Sequence, residues 1–279
     1  MEVFRVIESA TYINKLAKFC GKKELEELSQ DNLKQHFNLE QVDILVLFGG
    51  SILQGGDYLA EAIQNKIAKN YIIVGGYGHT SVSLFEQMEK EIPGITKNIS
   101  SEAELFAKYL KEKYQLTPDF LEVESTNCGN NITNLLALIA ENNLEMNSLL
   151  IMQDATMQLR MDATLRKYLL KEIPIINFPT YEVEVLVQNN ELVYDSLIPG
   201  MWEMERYVSL LMGEIPRLMD NLVGYGPKGK DFIAHVDIPD DVIKAYKALQ
   251  EIFPASTREA NPEFASKQKI TYYHRIPKY

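Results

Sequence analysis

Four stretches put polar groups where they could do chemistry. VESTNCGNN, from Val123 to Asn131, sets Ser125, Thr126, Asn127, Cys128, Gly129 and Asn131 behind an apolar run, with Glu124 its only charge. Hydroxyls and neutral amides offer donors and acceptors to a polar ligand. Glycine lets backbone N–H groups approach one closely. VGGYGHTS, from Val74 to Ser81, places Gly75, Gly76 and Gly78 just before His79. A third apolar run ends in Gly49, Gly50 and Ser51. QDATMQLR, residues 153–160, offers Gln153 and Thr156 and one cation, Arg160, a turn into a predicted helix. The N-terminal end of a helix disfavours cations, so Arg160 points to an anionic ligand or to a salt bridge with Asp154, Glu122 or Glu124. His79, Glu102 and Glu122 are the candidate acids and bases.

Each feature also has a plainer explanation. Ser, Thr and Asn cap helices. Gly75-x-x-Gly78 fits a tight strand-to-helix turn, because the full G-x-G-x-x-G fingerprint and its ribose-binding acid are absent. A lone His is often structural, and Glu102 suits a helix start without any ligand. Cys128 precedes a predicted helix, where a thiol becomes more acidic, but a small buried inert residue explains it as well. Lys228 and Lys230, in GYGPKGK, fit either a lid over an anion or a solvated turn.

These stretches need elements to position them. Short apolar runs at 44–48, 71–74, 120–123, 148–152 and 173–178 lack alternation, as expected of strands buried on both faces of a parallel sheet. Helical patterns fall between them at 58–69, 83–91, 102–114, 132–142 and 157–170. Strand and helix in alternation predict an open α/β sheet with helices on both faces. Strand carboxyl ends then share one edge, where ligands of such sheets bind. Residues 1–40 read as a helical segment, 41–180 as the α/β core, and 181–279 as an extension packing on it. That extension holds a hairpin pattern over 182–194, a helix over 202–219 and another from Asp240 to Ile252.

Composition narrows the function classes. The chain has 279 residues, 46% hydrophobic and 24% charged, with a net charge of −11. That charge argues against nucleic-acid binding, since phosphate backbones require basic surfaces. It leaves room for an anionic or nucleotide-like small molecule held by local donors. Two distant cysteines, Cys20 and Cys128, supply neither a zinc spacing nor a disulfide framework. No apolar run approaches the ~18 residues of a membrane span. No signal-peptide core opens the chain, so a cytoplasmic protein is expected.

STNCG at 125–129, QDATMQ at 153–158, ERYVSLLMGEIPR at 205–217 and GYGPKGKDFIAHVDIP at 224–239 together resemble the YdcF family. This is a large bacterial family of unassigned function that includes SanA-type envelope proteins. The resemblance spans roughly residues 40–245. It implies a Rossmann-like, doubly wound, mostly parallel sheet, here with additional N- and C-terminal helices, and a pocket at the strand ends for a nucleotide-type molecule such as S-adenosylmethionine. By position, the family's glycines fall on Gly49, Gly50, Gly75, Gly76 and Gly78. Its acidic residue falls on Glu102, its Glu-x-x-Ser-x-Asn on Glu122, Ser125 and Asn127, its late Asn on Asn131 and its Arg on Arg160. The chain departs from the family at Asn130, where a Glu is usual, and around Met157, where many members carry a His. It shows no SanA-type anchor. Three functions compete: a protein binding a nucleotide-like or phosphorylated molecule, a metal-independent hydrolase or transferase acting on a phosphate- or glycan-related substrate, and a non-catalytic envelope-related interaction protein.

Overall fold

The computed structural model describes residues 2–78, 80–170 and 172–254. In chain order the elements of the first half are α1 (Glu2–Cys20), α2 (Gln30–Phe37), β1 (Val42–Phe48), α3 (Gln54–Gln64), β2 (Ala68–Val74), α4 (Ser81–Glu91), α5 (Glu102–Tyr114) and β3 (Phe120–Glu122). The second half contains α6 (Cys128–Glu141), β4 (Leu149–Met152), α7 (Gln158–Tyr168), β5 (Ile175–Asn177), β6 (Val185–Gln188), β7 (Glu191–Tyr194), α8 (Met204–Leu218) and α9 (Asp240–Ile252).

Strands β1 to β5 form one parallel sheet in the order β3-β2-β1-β4-β5, a Rossmann-like doubly wound arrangement. Its apolar runs are continuous because each strand feeds two cores. Leu45 and Leu47 of β1 face the layer containing α3 and α5, with Leu59, Phe106 and Tyr109. Ile44, Val46 and Phe48 face the layer of α6 and α7, with Ile132, Leu135 and Met161. The strand order reverses between β1 and β4, which sets a crevice above their carboxyl ends.

A third core lies beyond the sheet. Ile13 and Leu16 of α1 join Val185 of the β6–β7 hairpin, Tyr207, Leu211 and Ile215 of α8, and Leu249 of α9. Residues from both ends of the described chain therefore share one apolar cluster, with α1 packed along α9. Among the described residues no helix is long and apolar enough to cross a membrane.

Several boundaries differ from the sequence reading. α3 occupies 54–64 rather than 58–69, because Lys66 takes a φ of 54° and Ala68 already pairs in β2. α6 starts at Cys128, four residues before its apolar pattern, because Asn127 caps it by accepting the Asn130 N–H. Leu25 and Leu28 are core residues but precede α2, whose start is fixed by the Ser29 cap.

Candidate functional site

β1 and β2 run side by side into Gly49 and Gly75. A Cβ on Gly49 would strike Glu102 Oε2 and lie 3.1 Å from Gly75 Cα, so only glycine permits this approach. Helix α5 is docked end-on against the same strand ends. Its Glu102 N–H donates to the Gly76 carbonyl at 2.8 Å and its Ala103 N–H to Gly75 at 2.9 Å. Capping falls to Ser101 and Glu104, which form a reciprocal capping box. Glu102 is thereby free for another role, and its side chain turns inward and is only 5% exposed.

The Glu102 carboxyl lies beneath the rim. Ser81 Oγ donates to its Oε1 at 2.7 Å. Burial pushes its pKa up to about 7, against the pull of hydrogen bonds from Ser81, the Gly50 N–H and Thr80. A carboxyl poised there can take or give a proton near neutral pH. Gly50 stands at φ 77°, a conformation that favours glycine. A Cβ there would sit 3.1 Å from Thr80 Oγ1 and 3.6 Å from Met157 Cε. Thus β1, the start of α4 and the start of α7 meet around one backbone position.

The turn after β3 is built around Glu122. Its Oε1 accepts from the N–H groups of Glu124 and Ser125, at 2.8 and 3.0 Å, and from Asn134 Nδ2 at 2.9 Å. Its Oε2 is buried and has no hydrogen-bond partner among the described residues. Ser125 then binds back to β2, where the Gly76 N–H donates to the Ser125 carbonyl at 3.0 Å and to its Oγ at 3.2 Å. Asn127 caps α6. Asn131, on the first turn of that helix, shares its sheet-facing stripe with Ile132 and Leu135. The Asn131 side chain is only 8% exposed and makes no hydrogen bond to any described residue.

On the other side of the crevice the side chains are occupied by the protein itself. Ser51 Oγ and Thr180 Oγ1 lie 2.5 Å apart. Gln153 Nε2 donates to the Gly49 carbonyl at 3.1 Å, and its Oε1 accepts the Asp154 N–H at 2.6 Å. Asp154 Oδ1 accepts from the Thr156 hydroxyl at 2.6 Å and from Tyr181 at 2.9 Å, and its Oδ2 accepts from Trp202 Nε1 at 2.7 Å. Burial raises the Asp154 pKa, and the Thr156, Trp202 and Tyr181 donors offset that rise.

Arg160 corrects one expectation. Its salt-bridge partner is none of Asp154, Glu122 or Glu124, but Glu214 of α8. The pair is bidentate, through Nε to Oε2 and Nη2 to Oε1. Burial disfavours the guanidinium charge, but the paired Glu214 carboxylate holds it firmly protonated. The pairing neutralises Arg160 and ties α7 to the third core. It crosses 54 positions of sequence, so local spacing could not disclose it.

The structure thus brings Gly49, Gly50, Gly75, Gly76, Gly78, Glu102, Ser125 and the start of α6 to one rim. A Cβ on Gly78 would meet the Thr126 carbonyl at 3.3 Å, and Cys128 is the first residue of α6. Gly129 belongs to the first turn of α6. Ser51, Gln153 and Thr156 are at the rim but bonded within the protein. His79 lies outside the described residues. Thr80, Ser81 and Glu214 escaped the sequence reading. Glu214 did leave a trace, as a charge beside the apolar stripe of Leu211 and Ile215 on α8. No protein-family model matches the sequence.

Proposed function

We propose that this chain is a YdcF-like protein that binds a nucleotide-like or phosphorylated small molecule at the carboxyl edge of its sheet, with S-adenosylmethionine among the candidates. The observation that carries the reading is Asn131. Its side chain is 8% exposed and makes no hydrogen bond to a described residue, so its amide faces the solvent at the rim and is available to a polar guest. Helix polarity supports the same reading. α4, α6 and α7 begin at the rim with no acidic residue in their first turns, whereas α2, α3, α5, α8 and α9 all carry one. Helix starts that carry no acid of their own favour an anionic or electron-rich guest, most clearly at α6, since Glu102 reaches the start of α4 and Asp154 that of α7.

Calorimetric titration of the whole chain with a nucleotide panel and S-adenosylmethionine tests this. At least one compound should bind, and Asn131→Ala should weaken it about tenfold without lowering the melting temperature. Silence across the panel, or binding indifferent to Asn131, overturns the reading.

A second reading, a metal-independent hydrolase or transferase, is favoured by Glu102, whose pKa of about 7 suits a general acid or base. Turnover of phosphate- or glycan-related substrates should then vanish in Glu102→Gln while the fold persists.

A further inference from the structure

A second recess adjoins the rim and none of the expectations above includes it. Thr80, Ser83 and Gln87 of the α4 segment face Met201, Trp202, Glu203 and Arg206 at the start of α8 across a cleft of about 170 Å³. Three of its polar side chains, Ser83, Gln87 and Arg206, make no hydrogen bond or ion pair with any described residue. The buried arginine in this part of the molecule, Arg160, is fully matched by Glu214. Arg206 is half-buried and unmatched. Its fork of N–H donors suits an oxyanion, and the Ser83 hydroxyl and Gln87 amide supply donors from the facing helix.

We propose that this cleft binds a phosphate group, with Arg206 as its cation and Ser83 and Gln87 as flanking donors. The volume sets the size of the guest. Sites that engulf a drug-sized molecule occupy roughly 300–1,000 Å³, so this cleft takes a head group and leaves the rest of a ligand outside. Thr80 gives that remainder its direction. It lines the cleft, hydrogen-bonds Glu102, and its Oγ1 lies 3.1 Å from the Cβ position of Gly50. A phosphorylated ligand seated here extends across Thr80 onto the glycine rim, an extension that rests on the binding reading above. The phosphate subsite itself does not. Glu203, exposed at the mouth, opposes a dianion and sets an upper limit on affinity.

Trp202 is the only tryptophan of the chain and lines the cleft, so its emission reports on occupancy. The full chain is titrated with inorganic phosphate at constant ionic strength, sodium chloride replacing phosphate in the control, with phosphorus NMR line width as a second readout. Malonate serves as a carboxylate comparison. Saturable phosphate binding is expected, weakened at least tenfold in Arg206→Gln, partly kept in Arg206→Lys, and tightened in Glu203→Gln. Circular dichroism and melting confirm that the variants fold. A linear response matching chloride, binding unchanged in Arg206→Gln, or malonate binding as tightly as phosphate overturns the proposal. The two readings fail separately. Nucleotide binding that depends on Asn131, together with phosphate binding that ignores Arg206, sinks the phosphate cleft alone. Arg206-dependent phosphate binding with a silent nucleotide panel sinks the rim reading alone.

Discussion

Replacing Glu102 by glutamine exchanges a buried carboxyl for a neutral amide of the same shape, and its effect should depend on pH. In the unfolded chain the Glu102 carboxyl titrates near 4.5, and in the fold at about 7. Between those values the folded protein keeps a proton that the unfolded chain has released. Stability from this group is therefore whole below about 4.5 and declines as pH rises to about 7. Above that the full cost of a buried carboxylate applies. At about 1.4 kcal/mol for each pH unit, the gap amounts to about 3 kcal/mol. The introduced glutamine has no proton to lose. Its amide keeps one carbonyl oxygen for the Gly50 N–H but sets an NH2 group where the other carboxyl oxygen accepted a hydroxyl, at a cost of about 1–3 kcal/mol that is constant with pH. The informative quantity is therefore the difference between variant and wild type, which cancels every other titrating group. Urea unfolding of both proteins from pH 5 to pH 9 should show this difference moving in favour of Glu102→Gln by about 2.5 kcal/mol. Parallel stability curves would refute the argument that burial holds this carboxyl near neutrality.

Other perturbations follow from the same geometry. Gly76→Ala drives a methyl into the Ser125 and Val123 carbonyl oxygens and should cost about 1–3 kcal/mol. Among the described residues Gly78→Ala meets only the Thr126 carbonyl, at 3.3 Å, and should fall within about 0.5 kcal/mol of wild type, both read from urea midpoints. Arg160→Met alone strands Glu214 as a buried charge and should cost about 3–5 kcal/mol. Arg160→Met combined with Glu214→Leu should recover most of that, and a double-mutant cycle showing plain additivity would disprove the coupling. His235 sits between Asp237 and Asp220, whose hydrogen bonds raise its pKa above 6.5. Its proton NMR titration should shift down in Asp237→Asn, and an unmoved midpoint would contradict the paired geometry.

The sheet was legible because burial on both faces leaves unbroken apolar runs, as at Ile44–Phe48 and Leu149–Met152. α5 and α9 span the residues their patterns predict, but Asp240, expected as a cap, is the first helical residue of α9, after Pro239 and without a side-chain cap bond. The glycines after β1 and β2 stood out as places where a ligand could approach the backbone; the close approaches that require glycine there are with Glu102, the facing strand end and the Ser125 turn. What local pattern could not carry is pairing across the chain. Arg160 was singled out correctly as a cation needing a partner, but that partner stands on α8. Glu102 looked like a helix opener until the Ser101–Glu104 box took that task and released it inward. Arg206 was hidden inside an amphipathic helix, where a partly exposed arginine carries no mark of its own. Only the fold sets it opposite Ser83 and Gln87.

The packing of α1 along α9 also bears on how the chain reaches its native state. About 220 positions separate the end of α1 from the start of α9. At synthesis rates of about 5–20 residues per second, Ile13 and Leu16 wait roughly ten to forty seconds for α9, the last of the elements that shield them. During that interval strands β1 to β5 can already assemble, since every one of them has emerged. The early helix is then a sticky flap beside a half-finished particle, and crowding by neighbouring nascent chains or heat stress should harm the protein most at this stage of its synthesis.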